Sequence, residues 1–147
     1  MNIRLAGLAA LVCCVAGVAI ARAEIDAIAV RQAGMDLQGA ALGATAQAVK
    51  AGVEVKTFAG TGSSIAAWAK QLPTLYPPES NKGEPATKAL PAIWTDNAGF
   101  IKDAADLGTA ADKMTAAAKA NDKEAFADAL KSVGQACGAC HKTYRAK

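Results

Sequence analysis

The chain ends in NDKEAFADALKSVGQACGACHKTYRAK, residues 121–147, and the spacing within this stretch predicts the fold. Two apolar rows repeat along it at intervals of seven residues: Phe126, Val133 and Cys140, and then Leu130, Cys137 and Tyr144. Residues seven apart lie on the same face of an α-helix, two turns from each other. Asn121 and Asp122 form a turn before these rows, with Asp122 as the N-cap. The stretch is therefore predicted to be one helix of a bundle.

Earlier parts of the chain carry the same seven-residue spacing. One row is Ile28, Met35, Leu42 and Val49, and another is Ile93, Phe100, Leu107 and Met114. A weaker stripe of Ile65, Trp68 and Leu72 predicts a further helix between them. Gly60 and Gly62 make the start of this helix uncertain, because glycine disfavours helix interiors. Four helical segments are thus expected after residue 23.

The five prolines all lie between residues 73 and 91, which places a loop in the middle of the chain. Pro91 suits the first turn of the helix that follows this loop. Alternation of apolar and polar residues, the pattern of strands, is missing from the sequence. We therefore predict an all-α fold: an antiparallel four-helix bundle with a Pro-rich loop between helices two and three.

The first 23 residues, MNIRLAGLAALVCCVAGVAIARA, have the three parts of a secretory signal peptide. Arg4 supplies the positive start, residues 5–20 the apolar run, and Ala21-Arg22-Ala23 a small-x-small cleavage site. An uncleaved membrane anchor is the alternative, but the apolar run is short for a membrane core of about 30 Å. Cleavage after Ala23 predicts a periplasmic protein of residues 24–147, with no membrane association.

Residues 24–147 carry 14 basic and 13 acidic side chains. This balance gives no electrostatic reason to expect binding to nucleic acid or to an anionic membrane. The sequence also has no spare histidine, no Ser/His/Asp set and no Gly-rich phosphate loop. We therefore expect a protein that is not an enzyme.

The motif Cys137-Gly-Ala-Cys140-His141 unites the two cysteines left after residue 23 with the one histidine of the chain. A structural zinc site needs about four nitrogen or sulfur ligands, more than this set supplies. A thioredoxin-type dithiol lies at the start of a helix, whereas this pair lies near a helix C-terminus. A disulfide between residues three apart closes a very short loop and stabilises little. All three possibilities leave His141 without a role.

The fourth possibility is a c-type haem attachment site, for which Cys-x-x-Cys-His is the motif. Two thiols one helical turn apart can add to the two vinyl groups of one haem, and His141 is then held under the iron as an axial ligand. Such attachment is made in an exported compartment, in agreement with the signal peptide. We therefore predict one covalent haem c, with its iron, bound through Cys137, Cys140 and His141.

With a haem motif at the C-terminal end of a four-helix bundle, the sequence resembles the class II c-type cytochromes, the cytochrome c′ family. The resemblance covers essentially all of residues 24–147 and includes four stretches: RQAGM (31–35), LPTLYP (72–77), AIWTDNAGF (92–100) and CGACHKTYR (137–145). MDLQG (35–39) together with LPTLYP is similar to the low-spin branch, in which a methionine is the sixth ligand of the iron.

The resemblance implies roles for three residues of helix one. Arg31 and Gln32 are expected beside the haem and its propionates. Met35 is expected over the distal face of the haem, either as sixth ligand of the iron or as a shield that does not bind. Methionines in apolar rows such as that of Met35 are, however, usually core residues. The resemblance also places the basic Arg145 near the proximal face.

Two haem functions follow from the two roles of Met35. With Met35 bound to iron, the protein is a carrier that exchanges single electrons with periplasmic redox partners. With an open distal face, it is a high-spin cytochrome c′ that binds nitric oxide or carbon monoxide. A bundle stapled by a disulfide, without haem, is a third possibility. The resemblance further implies a homodimer formed through helices one and two.

Overall fold

The structure, a computed structural model, describes residues 26–147, so the predicted signal peptide lies outside the described residues. Five α-helices form: α1 (Ala27–Lys50), α2 (Ala59–Gln71), α3 (Ala92–Thr95), α4 (Asn97–Lys119) and α5 (Lys123–Tyr144). Short 3₁₀ helices lie at Val55–Phe58, Leu72–Leu75 and Pro78–Ser80. Within residues 26–147 no strand forms, and extended pairing is confined to a bridge between Ala89 and Arg145.

Helices α1, α2, α4 and α5 form the predicted four-helix bundle, and the Pro-rich loop lies between α2 and α3 as expected. The start of the third long helix was predicted wrongly. Pro91 precedes only the single turn of α3, and the helix breaks at Asp96, whose backbone has φ −120° and ψ 53°. The Asp96 side chain then accepts a hydrogen bond from the backbone N–H of Gly99 and starts α4.

Aspartates at the N-cap position begin the first and last helices. Asp26 Oδ1 accepts hydrogen bonds from the N–H groups of Ile28 and Ala29, at 2.9 and 3.1 Å. Asp122, the predicted N-cap of α5, accepts from the N–H of Ala125 at 3.0 Å. Each cap satisfies a backbone donor that the helix leaves unpaired and contributes about 1 kcal/mol to stability.

The hydrophobic core lies between α2, α4 and α5, where α4 has extensive contacts with both neighbours. Gly62 explains why α2 forms in spite of its glycines. It is buried against α4, and a methyl group at this position would collide with Thr115. The close approach of the two helices therefore outweighs the low helix propensity of glycine.

Helix α1 packs against the bundle with few contacts. Its apolar row of Met35, Leu42 and Val49 is only partly buried. At Gly34 the helix lies close to α2, because the indole ring of Trp68 occupies the space that a methyl group would need. From residue 26 onward, no helix is long and apolar enough to cross a membrane.

Candidate functional site

Cys137, Cys140 and His141 lie on the last two turns of α5, and all three side chains are partly buried. Cys137 and Cys140 continue the apolar stripe that Val133 begins deep in the core. Neither thiol is part of a disulfide within residues 26–147. The helix therefore turns two thiols and one imidazole towards the interior.

The surroundings of the motif keep both thiols protonated. Burial raises the pKa of the Cys137 thiol. For Cys140, burial and the carboxylate of Asp103 raise the pKa to about 11. A catalytic dithiol requires a lowered thiol pKa, so the site does not have the electrostatics of a thiol oxidoreductase.

His141 is affected in the opposite direction. Burial, with a smaller contribution from the cation of Arg145, lowers the pKa of its imidazole. An imidazole whose pKa lies below its ordinary value of 6.5 is mostly neutral at neutral pH. The neutral form is the one that can offer a ring nitrogen to a metal.

Two adjoining cavities separate α1 from α5. The larger, of about 450 Å³, lies beside the Pro-rich loop, and its lining includes Arg31, Gln32, Met35, Cys140 and His141. The smaller, of about 140 Å³, lies deeper in the bundle, and its lining includes Met35, Gln38, Trp68, Cys137, Cys140 and His141. Met35, Cys140 and His141 line both cavities, which we therefore treat as one slot.

Arg31 is buried, with 2% of its surface exposed, and holds the Pro-rich loop against α1. Its Nη1 donates to the Leu75 carbonyl (3.2 Å) and to Ser80 Oγ (2.8 Å). Its Nη2 donates to the Ser80 carbonyl and to Thr87 Oγ1, both at 3.2 Å. The guanidinium carbon lies 4.5 Å from the centre of the Tyr76 ring.

All four of these Arg31 acceptors are neutral. No carboxylate within residues 26–147 forms an ion pair with the guanidinium. Burial lowers the pKa of Arg31, because the charged form has lost water, and the smaller opposing effects of Tyr76 and Asp26 do not offset this loss. A buried cation that lines a cavity favours an anionic group inside it.

The structure brings the predicted residues of helix one to the motif on α5. Arg31, Gln32 and Met35 line the larger cavity together with Cys140 and His141. Gln32 is exposed, and its amide donates to the carbonyl of Ala86 at 3.2 Å. The larger cavity therefore contains every predicted site residue except Cys137, which lines the smaller one.

The two methionines within residues 26–147 lie in different parts of the fold. Met35 lines both parts of the slot. Met114, on α4, is fully buried in the core and lines neither cavity. Only Met35 of this pair lies where a group in the slot would meet it.

Sequence reasoning assigned no role to Tyr76, which lies in the LPTLYP stretch and forms part of the wall of the larger cavity. Its position depends on the path of the Pro-rich loop, for which the sequence carries no periodic signal. Trp68, predicted as part of the apolar stripe of the second helix, lines the smaller cavity. Arg145 lines the larger cavity together with His141.

Among residues 26–147, no cluster of three or more His, Cys, Asp or Glu side chains is placed to hold a metal ion.

Residues 26–145 match the model of the family described as Cytochrome C′. The chain belongs to the cytochrome c′ family. Its predicted cofactor, one covalently attached haem c with its iron, is confirmed by this membership, as is the class II type.

Individual relatives agree with the family model. Cytochrome c-556 of Agrobacterium tumefaciens (strain II Chrys) is 40% identical over 102 residues, 69% of this chain and 73% of the relative. The crystal structure of cytochrome c′ from Thermochromatium tepidum superposes with a TM-score of 0.75 at 32% identity, covering 82% of this chain and 95% of the other. A nitric oxide complex of a cytochrome c′ variant from Alcaligenes xylosoxidans gives a TM-score of 0.73 at 27% identity, covering 83% and 94%.

The slot fits such a haem. Ile93 and Phe100 are apolar parts of its lining, and Arg31 lines it with a guanidinium that forms no ion pair among the described residues. The thiols and the imidazole are presented by α5. The donor set and the charge distribution therefore match an apolar ring with two acidic substituents.

Proposed function

We propose that this protein is a periplasmic monohaem cytochrome that transfers single electrons, with its haem attached to Cys137 and Cys140. The observation that carries the proposal is that Met35, Cys140 and His141 line the same two cavities. One imidazole and one thioether thus lie on the two helices that border the slot. When bound there, the haem iron supplies a one-electron couple.

His141 is the proposed proximal ligand, since it is the only histidine of the chain. Its partial burial supports the role, because a lowered imidazole pKa keeps the ring nitrogen free of a proton at neutral pH. The following turn of α5 is tied down: the carbonyl of Tyr144 accepts a hydrogen bond from the N–H of Leu90 at 3.0 Å. The Pro-rich loop thereby limits movement of the helix end that carries the imidazole.

Met35 is the proposed sixth ligand. A thioether needs no deprotonation and favours reduced iron, so a histidine–methionine pair suits repeated electron exchange. Two observations support this role. Met35 lines the slot whereas Met114 lies in the core. In addition, MDLQG and LPTLYP are similar to the low-spin branch.

Arg31 and Gln32 are proposed to lie beside the haem propionates. Arg31 has a charge without a protein counter-ion, and a carboxylate would supply it. Its four hydrogen bonds to the loop mean that it also determines the shape of the cavity wall. Gln32, at the exposed side, can donate through its amide.

Spectroscopy of the resting ferric protein tests the electron-carrier function. We expect low-spin iron by optical and EPR spectra, and conversion to high spin in Met35→Ala. Met114→Leu is the matched control, because Met114 lines no part of the slot, and its spectrum should be that of the wild type. High-spin iron in the wild type would overturn Met35 ligation.

Gas binding is the second candidate function. One observation favours it: Gly39 lines the smaller cavity one turn from Met35, and a methyl group at this glycine would meet no atom within 4 Å. The wall of the smaller cavity is therefore not crowded at this glycine. The similar protein solved with nitric oxide is consistent with this alternative. Ready binding of nitric oxide to a high-spin wild-type protein would support it.

The remaining proposals concern export, partners and catalysis. Cleavage after Ala23 predicts that N-terminal sequencing of the native protein begins at Glu24. The family consists of haem carriers, and we expect no catalytic activity from this chain. The redox partners are expected to be other periplasmic proteins.

A homodimer through α1 and α2 remains a proposal. The outer face of α1 exposes Val30 (38%) and Leu37 (64%), which lie seven residues apart on one side of the helix. Burial of this pair against a second copy would remove apolar surface from water. Analytical ultracentrifugation should give a dimer for the wild type and a monomer for Leu37→Glu. A monomeric wild type would contradict the proposal.

A further inference from the structure

Thr87, in the Pro-rich loop, is buried, with 4% of its surface exposed, and it lines the larger cavity. Its Oγ1 accepts hydrogen bonds from Arg31 Nη2 and from the backbone N–H of Ala89, both at 3.2 Å. A hydroxyl oxygen accepts two hydrogen bonds and donates one, so both acceptor positions are in use. The O–H donor of Thr87 has no acceptor within residues 26–147. An unpaired buried donor destabilises a folded protein, so this hydroxyl calls for a partner in the cavity.

Arg31, by contrast, has few donors left for a group in the cavity. A guanidinium carries five N–H bonds, two on each Nη and one on Nε. Each Nη group of Arg31 already has two acceptors in the loop, on Leu75, Ser80 and Thr87. A bidentate contact with a carboxylate needs two free N–H bonds. Arg31 therefore cannot form such a contact while it holds the loop.

The hold of Arg31 on the loop is built into the interior of the protein. Ser80 is buried like Thr87, with 5% of its surface exposed, and its hydroxyl donates in turn to the Pro77 carbonyl at 2.8 Å. The ring of Tyr76 adds a cation–π contact to the guanidinium. Release of Arg31 would leave several buried polar groups without partners, which destabilises the fold. The guanidinium is therefore expected to keep its loop contacts when the cavity is occupied.

Other polar side chains of the larger cavity are less suited to meet an anion beside Arg31. Three of them already donate to partners elsewhere: Gln32, Lys88 and Tyr144. The cations of Lys88 and Arg145 are exposed, so water and salt screen their charge. Arg31 is buried, and its charge is screened less. Among the residues that line this cavity, Thr87 is the one that forms a hydrogen bond with the guanidinium.

We propose that Thr87 binds one carboxylate of the haem through its O–H, while Arg31 stays bonded to the loop and supplies the positive charge. This contact rests on the haem position proposed above, and it is independent of whether the iron carries electrons or binds a gas. The charge of Arg31 draws the carboxylate to this part of the cavity. The Thr87 hydroxyl, 3.2 Å from Nη2, is the donor that the carboxylate meets there.

The contact has a consequence for the iron. A hydroxyl that accepts a hydrogen bond from a cation becomes a stronger donor, because linked hydrogen bonds polarise one another. Thr87 thus passes part of the Arg31 charge on to the carboxylate. Hydrogen bonding near a haem is one of the means by which a protein tunes its reduction potential. Withdrawal of negative charge from the carboxylate favours reduced iron, so Thr87 raises this potential.

A crystal structure of the ferric holoprotein tests the contact directly. We expect Thr87 Oγ1 within about 3.0 Å of a haem carboxylate oxygen, with both Nη groups of Arg31 still bonded to the loop. A carboxylate held by the Nη groups after release of the loop would overturn the proposal, as would carboxylates that contact other donors and not Thr87. The same structure shows the iron ligands. An iron without Met35 would refute the electron-carrier function and leave the Thr87 contact to be judged separately.

Resonance Raman spectroscopy of variants tests the contact in solution, because the bending band of the haem carboxylates shifts with their hydrogen bonding. Thr87→Val removes the hydroxyl at nearly constant volume, and it should shift this band and lower the reduction potential. Thr87→Ser keeps the hydroxyl and should retain the wild-type band and potential. An unshifted band in Thr87→Val would overturn the proposal.

Ser80→Ala is the matched control for these variants. The Ser80 hydroxyl also accepts from Arg31, at 2.8 Å, but Ser80 does not line the larger cavity. The carboxylate band should therefore stay at its wild-type position in Ser80→Ala. Equal shifts in Ser80→Ala and Thr87→Val would mean that the carboxylate responds only to the position of Arg31, and would overturn the direct contact. The crystal structure needs no variant, so it decides the question even if Thr87→Val does not fold.

Discussion

Helices α1 and α4 have nearly the same length, 24 and 23 residues, but are held in the bundle by different means. α4 buries nine residues, almost all of them apolar, between α2 and α5. α1 buries two, Arg31 and Thr45, and both are polar. Met35 and Leu42, from the apolar row of α1, line the slot in which we propose that the haem binds. We therefore propose that α4 is stabilised by protein packing and that α1 depends on the cofactor.

Preventing haem attachment should have the largest effect on the difference in stability between α1 and α4. In Cys137→Ser combined with Cys140→Ser, we expect the amides of α1 to lose most of their protection against hydrogen exchange. Those of α4 should remain protected, because its partners are still present. Hydrogen exchange read by mass spectrometry makes the comparison. Equal loss of protection in α1 and α4 would refute the proposal that only α1 depends on the haem.

The packing of the protein core is tested by Phe126→Ala. Phe126 is fully buried on α5, with its ring 6.1 Å from that of Phe58. Removal of a buried phenylalanine ring lowers the free energy of unfolding by about 3–5 kcal/mol. Ile101→Ala, at a position that is 45% exposed on α4, should change it by less than about 0.5 kcal/mol. Denaturant unfolding measures both, and similar values for the two would contradict the assignment of the core.

Two glycines on α1 test whether this helix packs against the Trp68 indole. Gly34→Ala forces a methyl group into Trp68 and should cost about 1–3 kcal/mol. Gly43→Ala meets no atom within 4 Å and should stabilise the helix by about 0.5–1 kcal/mol. Thermal unfolding of the holoproteins distinguishes them. A neutral Gly34→Ala would mean that α1 does not rest on the Trp68 indole.

The smallest predicted effect is a dependence on alkaline pH. Tyr144 Oη donates to Asp96 Oδ2 at 2.7 Å, and this bond, with burial, raises the pKa of Tyr144 to about 12 from 10.0. Between these values the unfolded chain releases a proton that the folded protein keeps, so the free energy of unfolding falls as pH rises above about 10. Denaturant midpoints across this range should decrease in the wild type and less in Tyr144→Phe. If the denaturant midpoint of the wild type changed with pH no more than that of Tyr144→Phe, Tyr144 would not contribute to the pH dependence.

Periodicity was sufficient to predict the helices with a protein-packed face. Phe126, Val133 and Tyr144 are buried as their seven-residue rows require. The break at Asp96 was missed because Ile93 and Phe100 remain in register across it, so the apolar row carries no sign of the interruption. Periodicity reports which residues face inward and is insensitive to a single unwound residue.

The candidate site was predictable where its residues carry distinctive chemistry. Two thiols and an imidazole in one motif are enough to identify a haem site, whereas Tyr76 and Trp68 are ordinary aromatic residues until their helices are packed. Arg31 illustrates the limit. Its burial depends on carbonyl and hydroxyl groups of the Pro-rich loop, more than forty residues away. No local pattern encodes that contact.

The central claim is that α5 carries one haem, covalently bound through Cys137 and Cys140. Mass spectrometry of the native protein after acid–acetone extraction tests it most directly, combined with trypsin digestion. Cleavage after Lys131 and Lys142 yields a peptide of residues 132–142 that contains both thiols and His141. We predict that this peptide retains the mass of one haem. Recovery of the peptide with two unmodified thiols, or haem that extracts freely, would contradict the claim.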